Sequence, residues 1–538
     1  MPKLIINQFH AGLAPRYSRV NWEFLRLGPQ GSYADGAIDP LLDLGILSPG
    51  ATQLTDPTNV AVLGSGKRIQ NWAPWIDGST QYYFGIENGV QLQKIDTSTN
   101  TLDSPNFGAD IAAHGGHATP IGQDIVIYQK NGSRKVFYAW ADNTDGDVGT
   151  IDTDGTNQED DFMSTSGGND PTGAIASTAL FDDSAFPIIL EAADNNFLYM
   201  FQKNIVHKFD GTTNGGAQGI FSGTVVDLPF DWIIKDARDG KSKMWIMAQQ
   251  SASGSFISGA QSKAGVYVWD RVSTVVKFDD FIPIVGASHV DSLFFHDGIP
   301  HCFTRSTEVN VTSQPIAELR KYNGREFEVV RQVGLNNFPY RRGVFPFRGM
   351  IGWTGQQNGG TNTGGAYAYG KPYGELSEGL YNISDIATMD TLGAVIKANQ
   401  QDYYLSYLEG STARLKVWSP DKDTQTSTNA FFKTLVYDLP KLARVTGVTV
   451  FWQPLASAGA AINLAVSVYK NMATTASKTF NIGYDTDGTK GWFYQPIGTD
   501  NWNQIQIGLA WPSTATAITS SIRVNRIEID YETTGKLK

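Results

Sequence analysis

Short runs of alternating apolar and polar residues, joined in pairs by turn dipeptides, dominate the first two thirds of the chain. The clearest pair is YYFGIE and VQLQKI, at residues 82–87 and 90–95, separated by Asn88-Gly89. Alternation is typical of a strand with one buried face, and Asn-Gly tolerates the positive φ angles of a tight hairpin turn. The pattern therefore predicts a series of β-hairpins. The same arrangement returns around Asn131-Gly132-Ser133, Lys203-Asn204 and Asp297-Gly298.

A hydrophobic or aromatic residue directly before a turn residue recurs along these hairpins. It occurs at Ile95, Trp140, Phe209, Trp269, Tyr322, Tyr369 and Trp418. The separations are 45, 69, 60, 53, 47 and 49 residues, close to the roughly 40 to 50 residues of a four-stranded propeller blade. Closure into a propeller also protects sheet edges. We expect an all-β fold with a β-propeller over residues 55–425, of seven blades within a range of six to eight.

The longest of these separations contains an acidic insertion at about residues 142–185. Its carboxylates do not match the spacing that a calcium loop requires around a turn glycine such as Gly155. We expect a solvated loop, and calcium binding there stays open.

Longer alternating strands, without the blade signature, follow the propeller. They include RVTGVTVFW and IRVNRIEIDY, and they predict a C-terminal β-sandwich over residues 426–538. Residues 1–54 contain GAIDPLLDLGILSPG, in which prolines and glycines prevent a long helix while the apolar residues need cover. We expect an extended N-terminal arm packed on the propeller or on a neighbouring subunit. A strand that completes the last blade is the alternative.

Composition narrows the classes of function. The 42 Lys and Arg residues against 53 Asp and Glu residues give a net charge of −11 without any basic run, so we expect no protein that grips nucleic acid by phosphate neutralisation. Cys302 is the only cysteine, which excludes an intrachain disulfide and fits a reducing cytoplasm. We expect neither a signal peptide nor a membrane-spanning helix.

The linear motifs of catalysis and metal binding are incomplete in this sequence. GSGKR, at residues 64–68, lacks parts of a phosphate-binding loop and is expected to be a turn. Cys302 is expected to be a small buried apolar residue rather than a nucleophile. Two histidine pairs have no assignable third zinc ligand: His114 with His117, and His296 with His301. We therefore predict no enzyme, no cofactor and no metal, although paired carboxylates of a glycosidase would have no fixed sequence spacing.

Aromatic residues near turns are the remaining candidates for binding. Trp502 and Trp511 are candidates for stacking on a glycan, with a packing role as the alternative. The Gly/Asn/Thr-rich segment 352–370 is the candidate partner-contact loop. Its candidate contact residues are Trp353, Asn358, Asn362 and Tyr367.

The order of arm, propeller and C-terminal β domain resembles a family of tailed-bacteriophage structural proteins. The resemblance rests on an Asn-x-Phe-x-x-Gly-Leu-Ala motif at residues 7–14 and an Ile-Asp…Pro-Gly segment at residues 38–50. Within this arm the candidate assembly residues are Asn7, Phe9, Gly12, Ile38, Asp39, Leu41, Leu44, Ile46 and Pro49.

The nearest role that the resemblance implies is the tail nozzle or hub of short-tailed phages. It implies a homo-oligomeric, usually hexameric ring in the virion, in contact with other tail proteins such as the portal adaptor and fibres. DNA would pass through this ring without specific binding, helped by an acidic balance. The alternative is a glycan- or receptor-binding tail protein or a lectin-like module.

Overall fold

The computed structural model describes residues 2–7, 33–35, 54–55, 69–77, 80–87, 92–97, 101–103, 113–121, 124–131, 134–140, 189–193, 197–210, 220–240, 242–250, 263–274, 280–309, 315–335, 343–356, 364–371, 379–382, 391–397, 402–409, 412–418, 431–434, 436–453, 464–471, 473, 475–482, 490–498, 501–511 and 523–533. All 36 regular elements in this part of the chain are β-strands, which confirms the predicted all-β class. None of the described segments is a helix able to cross a membrane.

Three short strands precede the propeller in sequence: β1 (Lys3–Ile6), β2 (Tyr33–Asp35) and β3 (Leu54–Thr55). Blades 1 to 3 are built from β4 (Ile69–Asp77), β5 (Thr80–Glu87), β6 (Leu92–Asp96) and β7 (Thr101–Asp103); β8 (Ala113–Ile121), β9 (Asp124–Asn131) and β10 (Arg134–Trp140); and β11 (Ile189–Ala193), β12 (Phe197–Gln202), β13 (Ile205–Asp210) and β14 (Ile220–Asp227).

Blades 4 to 7 follow the same antiparallel plan. They are built from β15 (Trp232–Gly240), β16 (Lys243–Gln250), β17 (Ala264–Trp269) and β18 (Phe281–Pro283); β19 (Ala287–His296), β20 (Ile299–Val309), β21 (Pro315–Tyr322) and β22 (Phe327–Leu335); β23 (Val344–Phe347), β24 (Met350–Gln356), β25 (Gly364–Gly370) and β26 (Gly379–Asn382); and β27 (Thr391–Lys397), β28 (Tyr403–Glu409), β29 (Thr412–Trp418) and β3. The β-propeller expected from the sequence is thus confirmed, with seven blades among the described residues.

The hydrophobic residue that recurs before a turn marks the same place in every blade. All seven predicted positions, from Ile95 to Trp418, lie at the end of the third strand of their sheets. The turn between β19 and β20 has positive φ angles at Asp297 and Gly298, 49° and 70°, as expected for an Asp-Gly hairpin turn. The alternation and the turn chemistry therefore act together to set the blade.

Contacts between the first strands of successive blades arrange the sheets around a ring, and blades 5 and 6 meet through Phe303 and Trp353, whose ring centroids are 5.3 Å apart. Blade 7 closes on blade 1: Ser406 Oγ accepts a 2.8 Å hydrogen bond from the Ile69 N–H, and Trp72 Nε1 donates to the Ala394 carbonyl at 3.1 Å. The first and last blades are thereby joined by specific polar bonds as well as by apolar packing.

The C-terminal strands form one connected nine-stranded sheet rather than two separate ones, so the expected β-sandwich is not confirmed. The 16-residue strand β31 pairs with β35 in its first half and with β34 and β36 in its second half. The strands are β30 (Phe431–Lys433), β31 (Tyr437–Trp452), β32 (Leu464–Lys470), β33 (Lys478–Ile482), β34 (Trp492–Pro496), β35 (Asn501–Ala510) and β36 (Val524–Thr533), together with β1 and β2.

N-terminal strands join both parts of the fold. β1 pairs with β36 and β2 with β30, whereas β3 pairs with β29 as the fourth strand of blade 7. Lys3 Nζ lies 2.7 Å from Glu528 Oε2 and 3.7 Å from Asp530 Oδ1, which adds an ionic contact to the β1–β36 ladder. The acidic insertion and residues 36–50 lie outside the described residues.

Candidate functional site

A group of ionisable side chains lies between blades 3, 4 and 5, on their first strands. We call Glu191, Asp236, Arg238 and Asp239 the inter-blade cluster. Glu191 on β11 lies 3.5 Å from Arg238 Nη1 of β15, and its other carboxylate oxygen accepts a 3.3 Å bond from the Asp239 N–H. The cluster therefore ties blade 3 to blade 4 by charge and by a backbone bond.

Asp236 and Arg238 extend the cluster from blade 4 to blade 5. Asp236 Oδ2 accepts a 2.8 Å hydrogen bond from the Leu293 N–H on β19, and Arg238 Nε donates to the Leu293 carbonyl at 2.8 Å. Asp236 is fully buried, and its second oxygen accepts from the Ala237 N–H at 3.0 Å. A buried carboxylate needs such partners, because an unpaired one would carry a large desolvation cost.

Glu191 is the group of the cluster best suited to proton transfer. Burial raises the pKa of Glu191 to about 7, against the opposing effects of the Arg238 charge and the Asp239 N–H. A carboxyl group that titrates near neutral pH can act as an acid or a base. Arg238 and Asp239 both belong to the neighbouring blade, so the same geometry also stabilises the ring.

A second carboxylate, Asp291, lies in a different environment on blade 5. It occupies an irregularity of β19 between Val290 and Ser292; His289 Nε2 is 3.3 Å from its Oδ1, and Arg305 Nη2 is 3.8 Å from its Oδ2. Burial alone would raise the pKa of Asp291, but the hydrogen bond and charge of His289, with the charges of Arg305 and Lys235, lower it overall. Asp291 is therefore an ionised carboxylate at neutral pH.

Neither carboxylate was found from the sequence. Glu191 and Asp239 are 48 residues apart, and both Lys235 and Asp291 lie at irregularities that shift the alternation of their strands. Bulges of this kind redirect side chains without leaving a linear signal.

The predicted partner-contact residues do not form an exposed tip. Trp353 and Tyr367 are only 2% and 5% exposed and pack with Phe303 in the core of blades 5 and 6, because they are cross-strand partners on the inner part of β24 and β25. This corrects the expectation that they contact a partner. Asn358 and Asn362 lie outside the described residues.

The predicted glycan-stacking residues are also buried. Trp502 and Trp511 are 3% and 6% exposed and belong to the core of the C-terminal sheet, so the expectation that they stack on a sugar is corrected to the packing role. Among the described residues of this sheet, the exposed aromatic side chains are instead Trp492 and Tyr494 on β34, at 44% and 42%.

Among the candidate assembly residues the structure describes one. Asn7 follows β1 and is exposed. The others lie outside the described residues: Phe9, Gly12, Ile38, Asp39, Leu41, Leu44, Ile46 and Pro49.

Cys302 and His301 behave as structural groups. Cys302 is fully buried, and burial raises the pKa of its thiol to about 12, which agrees with the expected apolar role. Burial lowers the pKa of His301 to about 4, and its ring stacks on Phe294. Among the described residues no group of three or more His, Cys, Asp or Glu is arranged to hold a metal ion.

No family model and no curated protein matches the chain. Solved structures with a similar arrangement include the β-propeller domain of the Trilobed protease from Pyrococcus furiosus, at 11% identity, with 71% of this chain and 91% of that chain covered and a TM-score of 0.31. Oligogalacturonate lyase in complex with manganese has 9% identity, with 69% of this chain and 98% of that chain covered and a TM-score of 0.36. A glycoside hydrolase family 43 arabinoxylan arabinofuranohydrolase from Bacillus subtilis has 11% identity, with 86% of this chain and 95% of that chain covered and a TM-score of 0.28.

These comparisons correct one expectation from the sequence. The lack of linear catalytic motifs predicted that the chain is not an enzyme, yet a lyase and a glycoside hydrolase are among the similar structures. The missing motifs therefore do not exclude an enzyme, because residues from separate blades can form a site without any fixed sequence spacing. Likeness at this level concerns the fold and assigns no reaction to this chain.

Proposed function

We propose that this chain is a structural component of a bacteriophage tail, in the position of a nozzle or hub, and that it assembles in the host cytoplasm into the virion. The observation that carries the proposal is the way in which the N-terminal segment joins the two parts of the fold. β1 belongs to the C-terminal sheet and β3 to blade 7 of the propeller, so the strands that flank the phage-like motifs in sequence belong to the two parts of the fold.

Exposure of Asn7 supports the same proposal. The motif begins where β1 ends, and Asn7 is exposed while Ile6 before it is buried. Asn7 is therefore accessible to a neighbouring subunit.

The proposed assembly is a homo-oligomeric ring, hexameric by the resemblance, that contacts other tail proteins such as the portal adaptor and fibres. DNA passes through it without specific binding. The net charge of −11 supports this passage, because like charges repel and no basic run would hold the phosphates.

The proposal is tested by assembly of the full chain. Mass photometry and negative-stain electron microscopy of the purified protein should give rings, and an antibody raised against it should label purified phage particles from the source. A chain that stays monomeric at high concentration and is missing from such particles would contradict the proposal.

A pair of variants tests the role of the motif. Asn7→Ala should lower the yield of rings without a change in the melting temperature, since its side chain is exposed. Asn503→Ala is the matched control, because Asn503 is also exposed and lies on β35 of the same sheet. Equal ring yields for both variants would remove Asn7 from the assembly contact.

A further inference from the structure

One face of the C-terminal sheet carries a regular grid of side chains, which we call the outer face, with Ile5, Trp492 and Tyr494 exposed on it. Its rows follow from the cross-strand register of four strands. The reverse face of these strands is apolar and fully buried in the core, as at Val450 and Ile527. The outer face consists of Trp492, Tyr494 and Pro496 on β34; Phe451, Thr449 and Gly447 on β31; Arg526, Glu528 and Asp530 on β36; and Ile5 and Lys3 on β1.

One row of the outer face alternates between cations and aromatic rings. Lys490 Nζ lies 5.2 Å from the centroid of Trp492, Trp492 is the register partner of Phe451, and the guanidinium of Arg526 lies 4.0 Å from the centroid of Phe451. Two aromatic rings are therefore flanked by a cation on each side. Such a row attracts a ligand that is both anionic and able to contact a ring face.

Tyr494 places a second ring on the same side of the strand. A Cβ at Gly447 would lie 2.3 to 2.5 Å from Cε2, Cζ and Oη of Tyr494, so the ring rests directly on the glycine backbone of β31. Its other side is open, at 42% exposure. Trp492 and Tyr494, two residues apart, are spaced by roughly 6.6 to 6.8 Å along the strand and lie on the same face of it.

The cations of the outer face differ in whether a carboxylate of the chain already pairs with them. Lys3 and Arg526 hold Glu528, at 2.7 Å and 3.2 Å. Lys490 is paired with no carboxylate among the described residues. It lies beside Trp492, which is more exposed than Phe451, the other ring of the row. Among the described residues, Lys490 is therefore the cation of this face that is available for an anionic ligand, and it lies next to an exposed indole.

We propose that the outer face binds an acidic saccharide, with the rings of Trp492 and Tyr494 stacked against pyranose rings and Lys490 paired with a sugar carboxylate. The apolar C–H face of a pyranose fits an open aromatic ring, and the row of cations favours a carboxylated sugar over a neutral one. The proposal concerns a site on the chain itself and does not rest on a role in a phage tail.

Single-stranded nucleic acid would also use aromatic rings and cations. Sites for single-stranded nucleic acid follow the phosphate backbone with a groove of cations. On the outer face Lys3 and Arg526 are held by Glu528, which leaves one cation, Lys490, among the described residues. One such cation suits contact with a single carboxylate better than contact with a run of phosphates.

The test compares two probes that differ only in the carboxylate: tetragalacturonate and the neutral galactotetraose. Binding to the full chain is measured by calorimetry and by saturation-transfer NMR. Trp492→Ala and Lys490→Ala should each weaken tetragalacturonate binding by about tenfold or more, as expected for loss of a stacking surface or of a desolvated charge contact. Galactotetraose should bind more weakly than tetragalacturonate to the wild-type chain.

Phe230→Ala is the matched control. Phe230 is 77% exposed and has Lys203 Nζ 5.2 Å from its ring. It is thus an exposed ring with a nearby cation, like Trp492, but it lies on the propeller and not on the outer face. Its affinity for tetragalacturonate should equal that of the wild-type chain, and circular dichroism should show that all three variants are folded.

Four results would overturn the proposal: no binding of tetragalacturonate, equal binding of galactotetraose, tighter binding of an oligothymidylate, or loss of binding in Phe230→Ala as well. Self-association that disappears in Trp492→Ala, without saccharide binding, would identify the outer face as a contact between copies and would equally overturn it. None of these results depends on ring assembly or on detection in phage particles.

Discussion

The carboxylate of Asp236, on the first strand of blade 4, accepts a 2.8 Å hydrogen bond from the backbone N–H of Leu293, on the first strand of blade 5. The Leu293 carbonyl accepts from Arg238 of the same blade 4 strand. Both backbone groups of one residue in blade 5 are therefore held by side chains of its neighbour. This is a link between blades that does not depend on apolar packing.

Replacing Asp236 should weaken that link strongly. Asp236→Ala leaves the buried Leu293 N–H without its acceptor and removes one of the two carboxylates near Arg238, so we expect a loss of about 3 kcal/mol in the free energy of unfolding. Asp236→Asn keeps one acceptor oxygen and should lose less. Urea unfolding monitored by tryptophan fluorescence measures both. Equal stability of the wild-type chain and Asp236→Ala would show that the bond contributes nothing.

Stability should depend on pH through Glu191. The pKa of this carboxyl rises from an ordinary value of 4.5 to about 7 in the folded chain, so the folded state binds the proton more tightly than the unfolded state. Its contribution is therefore fully present below about pH 4.5 and is lost as the pH rises through about 7.

Glu191→Gln isolates this effect, because glutamine cannot titrate. The free energy of unfolding of the variant relative to the wild-type chain should increase between pH 4.5 and pH 8, by roughly 2 to 3 kcal/mol. Denaturant unfolding of both proteins at each pH cancels the contributions of other groups. A difference that stays constant over this range would contradict the shifted pKa.

The propeller could be predicted because the sequence features that specify each blade lie close together in the chain. Each blade depends on alternation within strands and on turns such as Asp297-Gly298, and the residue before a turn, as at Trp269, repeats once per blade. The pairing of β1 with β36 and of β3 with β29 joins residues hundreds of positions apart. Short strands such as Leu54–Thr55 carry too few residues to specify such partners.

For a related reason, the sequence does not predict whether an aromatic side chain faces the core or the solvent. β34 reads WFYQP, with Trp492 and Tyr494 exposed and Phe493 packed on the core, so both faces are aromatic and the sequence does not say which one is buried. Trp502 lies between two polar residues in the sequence, Asn501 and Asn503, as an exposed residue would. Its partner across the sheet is nevertheless Ala443 in the core. Which face is covered depends on the tertiary arrangement.

The contact between blades 7 and 1 requires a glycine at position 393. A Cβ there would lie 2.4 Å from the Ser406 carbonyl oxygen and 2.7 Å from that of Ile69, and these are backbone atoms on both sides of the closure. Gly393→Ala should therefore cost about 2 to 3 kcal/mol. Gly508→Ala is the control: its nearest neighbour is a side-chain atom of Tyr469 at 3.2 Å, which can move, so the cost should stay below about 1 kcal/mol.

Thermal unfolding of the two glycine variants measures this difference. A clearly lower melting temperature for Gly393→Ala than for Gly508→Ala is the expected outcome. Similar values would mean that the blades can separate slightly at the closure and absorb the methyl group.

The two tryptophans Trp502 and Trp492 should differ sharply in their contribution to stability. Trp502 is buried in the core of the C-terminal sheet and Trp492 is 44% exposed on its outer face. Trp502→Ala removes a large side chain from a packed interior and should cost about 3 to 5 kcal/mol, whereas Trp492→Ala should cost less than about 1 kcal/mol, as for most surface positions. Urea unfolding followed by circular dichroism compares them. If Trp492→Ala were as destabilising as Trp502→Ala, the outer face would be covered within the chain, and its exposed rings would not be available to a ligand.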